Sequence, residues 1–129
     1  AFIVVSDLAK QLELDVTFDF MSIKSYYGSE SSGQVKIVKD LEYDITNKNV
    51  LIVEDIYDTG LTLKNLKKLL EARNPKNIEI FCMFVKKEVA QDPIEINYSG
   101  FEIGPEFVVG YGLDYNGKYR ELPYLGVLS

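Results

Sequence analysis

Residues 54 to 62 read Glu-Asp-Ile-Tyr-Asp-Thr-Gly-Leu-Thr and stand between an apolar run, VLIV, and the start of a leucine-spaced segment. In an open α/β sheet, ligands bind beyond the carboxyl ends of the strands, where a loop meets a helix. Asp58, Thr59, Gly60, Leu61 and Thr62 fall where the chain would turn into that helix, so successive backbone amides and the positive helix end can converge on a phosphate. Gly60 permits close backbone approach, and the Thr59 and Thr62 hydroxyls add donors. Glu54 and Asp55 would repel a bare polyphosphate, but carboxylates accept well from vicinal sugar hydroxyls. A phosphate on one side and a diol on the other describe a ribose phosphate, with Asp58 placed to face the reacting carbon or a base. Residue by residue, a plainer reading stays open: Asp58 or Thr59 caps the helix, and Glu54 and Asp55 are solvated loop acids.

The elements that must position these residues are legible from periodicity. VLIV, at 50 to 53, is a continuous apolar run of the kind found in a strand buried on both faces. EDIYDTG follows as a loop, and Leu63, Leu66, Leu69 and Leu70 predict a helix over 61–73, ended at Asn74-Pro75. Ile78, Ile80, Phe81, Met83, Phe84 and Val85 supply the next strand, which a right-handed crossover would lay parallel to the first. Upstream, Val4, Leu8 and Leu12 predict a helix over 1–13. Val16, Phe18 and Phe20 alternate with polar residues as a half-buried strand running on toward Tyr26. GSESSGQ, at 28 to 34, has no apolar residue and reads as a mobile loop or hairpin tip, before Val35, Ile37 and Val38 resume a strand. YDITNKN, at 43 to 49, carries turn chemistry. Ile94 to Tyr98 and Phe107 to Val109 read as short strands in a loop-rich tail. One domain over 1–129 is expected, with no linker or internal repeat.

Composition narrows the chemistry. The chain is 47% hydrophobic and 26% charged, ordinary for a globular protein. Its net charge of −6 disfavours nucleic acid as the main partner. There is no His and one Cys, Cys82, so zinc sites, His-based triads and internal disulfides are excluded; carboxylates, lysine, backbone amides and a hard oxygen-bound cation remain. Cys82 alternates inside an apolar strand and is expected to be buried and inert. No apolar run approaches membrane-spanning length, and a cytoplasmic location is expected.

VLIVEDIYDTGLTL resembles the phosphoribosyl-pyrophosphate motif of type I phosphoribosyltransferases. VKK at 85–87 and FVVGYGLDYNGKYRELPYLGVL in the tail are similar to the hypoxanthine-guanine branch, and the resemblance covers essentially the whole chain. It implies an α/β fold with a mainly parallel central sheet flanked by helices, a mobile hairpin lid and a loop-rich C-terminal tail. It also implies magnesium-dependent transfer of the phosphoribosyl group to hypoxanthine or guanine. A regulator that keeps the cradle as a sensor and has lost catalysis is the rival reading; a base pocket argues against it.

By the same resemblance, Glu54 and Asp55 would hold the ribose hydroxyls, residues 58 to 62 the 5-phosphate, and Asp58 the proton of the purine ring nitrogen. Lys86 would donate to the carbonyl oxygen of a 6-oxopurine, Phe107 would stack on its face and the Val108 backbone would read its edge. Asp114 would serve the purine side and, with Glu54 and Asp55, magnesium; Arg120 would reach the pyrophosphate. Ser25 and Tyr26 open the polar stretch that matches the family's lid. The family also places a strand and a pyrophosphate loop ending in Lys-Gly just before the first helix, so a segment upstream of Ala1 is expected. Exposed Tyr and Phe in the tail, with family habit, point to a homodimer or homotetramer.

Overall fold

A computed structural model describes residues 1–25, 35–90 and 93–129. Helix α1 spans Phe2–Gln11, and its Val4 is buried. Leu8 and Leu12, four and eight residues on, are half-buried, so the expected face is the covered one.

The central sheet is built from β3 (Asn49–Tyr57), β4 (Asn77–Val85) and β5 (Tyr98–Glu102), all parallel, in the order β3-β4-β5. Helix α2, Leu61–Glu71, makes the crossover between β3 and β4. Its Leu63, Leu66 and Leu70 share one buried cluster with Ile52, Tyr57, Ile80, Cys82 and Val85. Ile80 and Cys82 are fully buried. Ahead of the sheet, β1 (Ser22–Ser25) and β2 (Val35–Lys39) pair antiparallel. In the tail, β6 (Val108–Val109) pairs antiparallel with β7 (Gly126–Val127).

Several expectations change. β3 runs through Glu54, Asp55 and Ile56 to Tyr57, because Glu54, Ile56 and Tyr57 keep register with Cys82, Phe84 and Val85. Only residues 58–60 are left as the loop before α2. β3 is also not buried on both faces, since it borders the sheet and Leu51 remains 42% exposed. The Val16-Phe18-Phe20 alternation forms no strand: no described strand lies beside it, and these three side chains are exposed. The strand begins instead at Ser22, where β2 supplies a partner. Ile94–Tyr98 is likewise displaced. Ile94 and Ile96 pack on the core as irregular chain, and β5 starts at Tyr98. Gly100 lets β5 lie close to β4, since a Cβ there would fall 2.5 Å from the Met83 carbonyl oxygen.

The expected loop or hairpin tip at 28–34 and the lid residue Tyr26 lie outside the described residues. Of Ser25 only the backbone is described, as the last residue of β1. No helix among the described residues is long and apolar enough to cross a membrane.

Candidate active site

The expected sugar and base residues Glu54, Asp55, Asp58 and Lys86 lie at or just beyond the carboxyl ends of β3 and β4. Glu54 and Asp55 are half-buried near the end of β3, and Tyr57 closes the strand as a core residue. Burial pushes the Glu54 carboxyl up to about 7, and the neighbouring Asp55 charge pushes the same way. The Ala1 nitrogen donates to Asp55 Oδ2 at 3.2 Å, and the Ile56 amide donates to Asp55 Oδ1 at 2.8 Å. Two crowded carboxylates with hard oxygen donors are a charge problem that a divalent cation or a hydroxyl-rich ligand relieves.

Asp58 and Thr59 are exposed, and neither caps α2. The cap is Gly60, with φ 88°, a left-handed conformation that a side chain would strain. The Gly60 carbonyl accepts the first helical bond from the Lys64 amide at 2.9 Å. With no side chain spent on capping, the plainer reading of Asp58 and Thr59 falls away. The backbone at the start of α2 follows the path that a phosphate cradle needs.

Lys86 follows β4 and is the buried charged residue of the described core, at 6% exposure. Its amide donates to the Tyr57 carbonyl at 2.9 Å, which brings it beside the β3 end one residue ahead of Asp58. Among the described residues it has no ion-pair partner, unlike the solvated lysine that a bare sequence would favour. Tyr57 is a positioning residue that the sequence did not announce: its carbonyl holds Lys86, and its hydroxyl accepts from the Ile94 amide at 3.3 Å. A cleft of about 390 Å³ lies alongside, lined by Tyr57, Val85, Lys87, Ala90, Pro93, Ile94, Ile96 and Ser99, and takes in none of the residues expected to bind sugar or base.

In the tail, Phe107 is 52% exposed, with its ring edge-on to Tyr115 at 5.9 Å, so it is not core and keeps a face for a ligand. Val108 is buried in β6. Asp114 accepts from the Gly117 amide at 2.8 Å through Oδ2 and pairs with Arg120 at 3.3 Å through Oδ1. Arg120 also donates to the Gly112 carbonyl at 2.8 Å. Tyr115 and Lys118 bridge across Asn116 and Gly117, both at positive φ, which is the Asn-Gly hairpin turn that Asp114 caps. That Asn-Gly pair was the available signal for this hairpin. Glu54 and Asp55 on one side and Asp114 on the other form no preassembled cluster of three metal ligands among the described residues. Cys82 is buried as expected, its thiol pushed up to about 12 by burial and then by the Glu54 charge.

The geometry has close relatives. The family model of the phosphoribosyl transferase domain matches residues 1–116. A hypoxanthine phosphoribosyltransferase of Buchnera aphidicola is 47% identical over 127 residues, 98% of this chain and 72% of that protein. A hypoxanthine-guanine phosphoribosyltransferase of Staphylococcus aureus is 48% identical over 126 residues, 97% of this chain and 70% of that one. The crystal structure of a hypoxanthine phosphoribosyltransferase from Staphylococcus aureus superposes with a TM-score of 0.95 at 46% identity, covering 99% of this chain and 70% of that chain. Parallel strands, crossover helix and these likenesses agree, and the chain belongs to the phosphoribosyltransferase family of enzymes.

Proposed function

We propose that this protein works in purine salvage, transferring the 5-phosphoribosyl group from phosphoribosyl pyrophosphate to hypoxanthine or guanine, with magnesium, to give IMP or GMP and pyrophosphate. The observation that carries this reading is the 2.9 Å bond from the Lys86 amide to the Tyr57 carbonyl. It sets the backbone of a buried lysine beside the acid-rich end of β3, where a sugar and a 6-oxopurine would meet.

In the reaction the bond from the anomeric carbon to pyrophosphate breaks, a bond from that carbon to a purine ring nitrogen forms, and the proton of that nitrogen leaves. Asp58, exposed and not engaged as a cap, takes the proton. Glu54 and Asp55 accept from the ribose hydroxyls, and as fixed carboxylates they favour the positive charge that develops on the anomeric carbon. Residues 58 to 62 hold the 5-phosphate through backbone amides and the Thr59 and Thr62 hydroxyls. Lys86 donates to the purine carbonyl oxygen, which disfavours the amino group of adenine. Phe107 stacks on the ring and the Val108 backbone reads its edge, while Arg120 binds the leaving pyrophosphate. Glu54, Asp55 and Asp114 would hold magnesium, which supplies charge neutralisation for the pyrophosphate oxygens.

The test is to incubate the full chain with phosphoribosyl pyrophosphate, magnesium and either base, then separate the nucleotides. One pyrophosphate per IMP or GMP is expected. No nucleotide from either base, with phosphoribosyl pyrophosphate still bound, would refute the enzyme and leave a sensing regulator.

A further inference from the structure

We propose that Asp7 and Tyr111 form a positioning pair for the purine side of the site, the α1 carboxylate holding through the Tyr111 phenol the turn that separates Val108 from Asp114. The assignment rests on the proposed function, which gives Val108 and Asp114 to the base.

Gly110, Tyr111 and Gly112 take φ values of 95°, 51° and 95° in succession. Gly110 tolerates nothing larger, because a Cβ there would fall 2.1 Å from the Tyr124 carbonyl oxygen. A tyrosine in the left-handed region is uncommon and costs free energy that a third glycine would avoid. Its side chain therefore contributes something the backbone path does not require. The phenol donates to Asp7 Oδ2 at 2.7 Å across 104 residues of sequence, and the ring meets Phe84 edge-on at 6.1 Å.

α1 touches this turn twice. Ile3 lies against Gly112, where a Cβ would sit 3.5 Å from its side chain, and Asp7 reaches Tyr111. Ile3 and Asp7 are four apart and share a helix face. The other side of the turn is tied to the strand of chain that returns from Asp114: the Tyr111 amide donates to Leu122, and the Gly112 amide to Arg120. A hydrogen bond to a charged acceptor is stronger than a neutral one. The same bond, with burial, pushes the phenol up to about 12, so it remains a donor through any assay near neutrality. Neither residue has a part in the chemistry proposed above.

Steady-state kinetics on Tyr111→Phe, Asp7→Ala and Asp7→Asn in the full chain test the pair. Tyr111→Phe keeps the ring and its Phe84 contact and removes only the donor. Its KM for hypoxanthine or guanine is expected to rise about 5- to 20-fold, the reach of one charge-assisted hydrogen bond, with KM for phosphoribosyl pyrophosphate within about twofold. Asp7→Ala should match it, Asp7→Asn should recover most of the loss because its amide oxygen still accepts, and Tyr111→Phe with Asp7→Ala should be no worse than either alone. A purely structural role would lower the melting temperature and leave the ratio of the two KM values unmoved. That outcome, an unchanged purine KM, or additive losses in the double variant would overturn the pair. An unsubstituted protein that makes no nucleotide would instead strike down the proposed function, and this assignment with it.

Discussion

Residues 54–62 and residues 107–122 serve the same proposed reaction, yet they are held by different means. The first stretch ends a nine-residue strand in parallel register with β4 and opens a helix with three of its five leucines in the core. The second has one two-residue strand, and beyond it depends on turns, five of its residues at positive φ besides Gly117, and on the Asp114–Arg120 pair. Placement in the cradle is thus a by-product of folding. Placement in the tail depends on a few local bonds that can be lost without unfolding the chain.

Substitutions can break that contrast. The largest effect is expected for Asp58→Asn, which leaves the cradle backbone in place and should lower kcat by about 10² to 10⁴. Binding of phosphoribosyl pyrophosphate, measured by calorimetry, should change far less; equal losses would make Asp58 a binding residue only. Ile80→Ala, at a fully buried position, should cost about 2–5 kcal/mol in denaturant unfolding, with unchanged KM values in the molecules that remain folded. Arg120→Lys should do the reverse. Losing the planar fork that spans Gly112 and Asp114 should raise KM for phosphoribosyl pyrophosphate by roughly tenfold while altering stability by under about 1 kcal/mol. Lys86→Ala sits between the two regions, and should relax discrimination against adenine by about tenfold or less; unchanged selectivity would remove Lys86 from the base pocket.

A further test is a pH slope. Glu54 titrates near 7 in the folded chain against an ordinary 4.5, so the folded state holds the proton more tightly than the unfolded one. Its contribution is fully present below about pH 4.5 and is lost as pH rises through 7. Asp19, Asp40 and Asp44 are lowered and act oppositely, losing their contribution on acidification below their ordinary 3.8. Denaturant melts of the metal-free protein at pH 5, 6, 7 and 8 should therefore show falling stability, and Glu54→Gln should flatten the trend.

The same contrast explains what the sequence made legible. β3, α2 and β4 follow from a short apolar run and leucines at three and four, because local periodicity and burial agree there. The last residues of β3 were hidden because Glu54 and Asp55 look like loop acids, whereas the register of Glu54 with Cys82 and of Ile56 with Phe84 keeps this stretch in the strand. Val16 to Phe20 and Ile94 to Ile96 have the pattern of strands without a described strand partner, and pairing decides a strand more than propensity does. At the site, Asp58 to Gly60 could be placed from type and order. The buried state of Lys86 and the pairing of Asp114 with Arg120 could not, since both depend on contacts made after the chain has closed. Asp7 and Tyr111 are farther out of reach: nothing local in either segment refers to the other.

The Tyr57–Lys86 backbone bond acts as a ruler. Adjacent strands lie about 4.8 Å apart, a spacing set by the peptide group and not by any side chain. If sugar and base are gripped from the ends of β3 and β4, the span between the two grips is an architectural constant. Exchanging side chains can then retune which purine edge is accepted, but it cannot lengthen the gap that the new glycosidic bond must close. Bases with altered outer substituents should be tractable targets for engineering, and acceptors with a displaced attacking nitrogen should not.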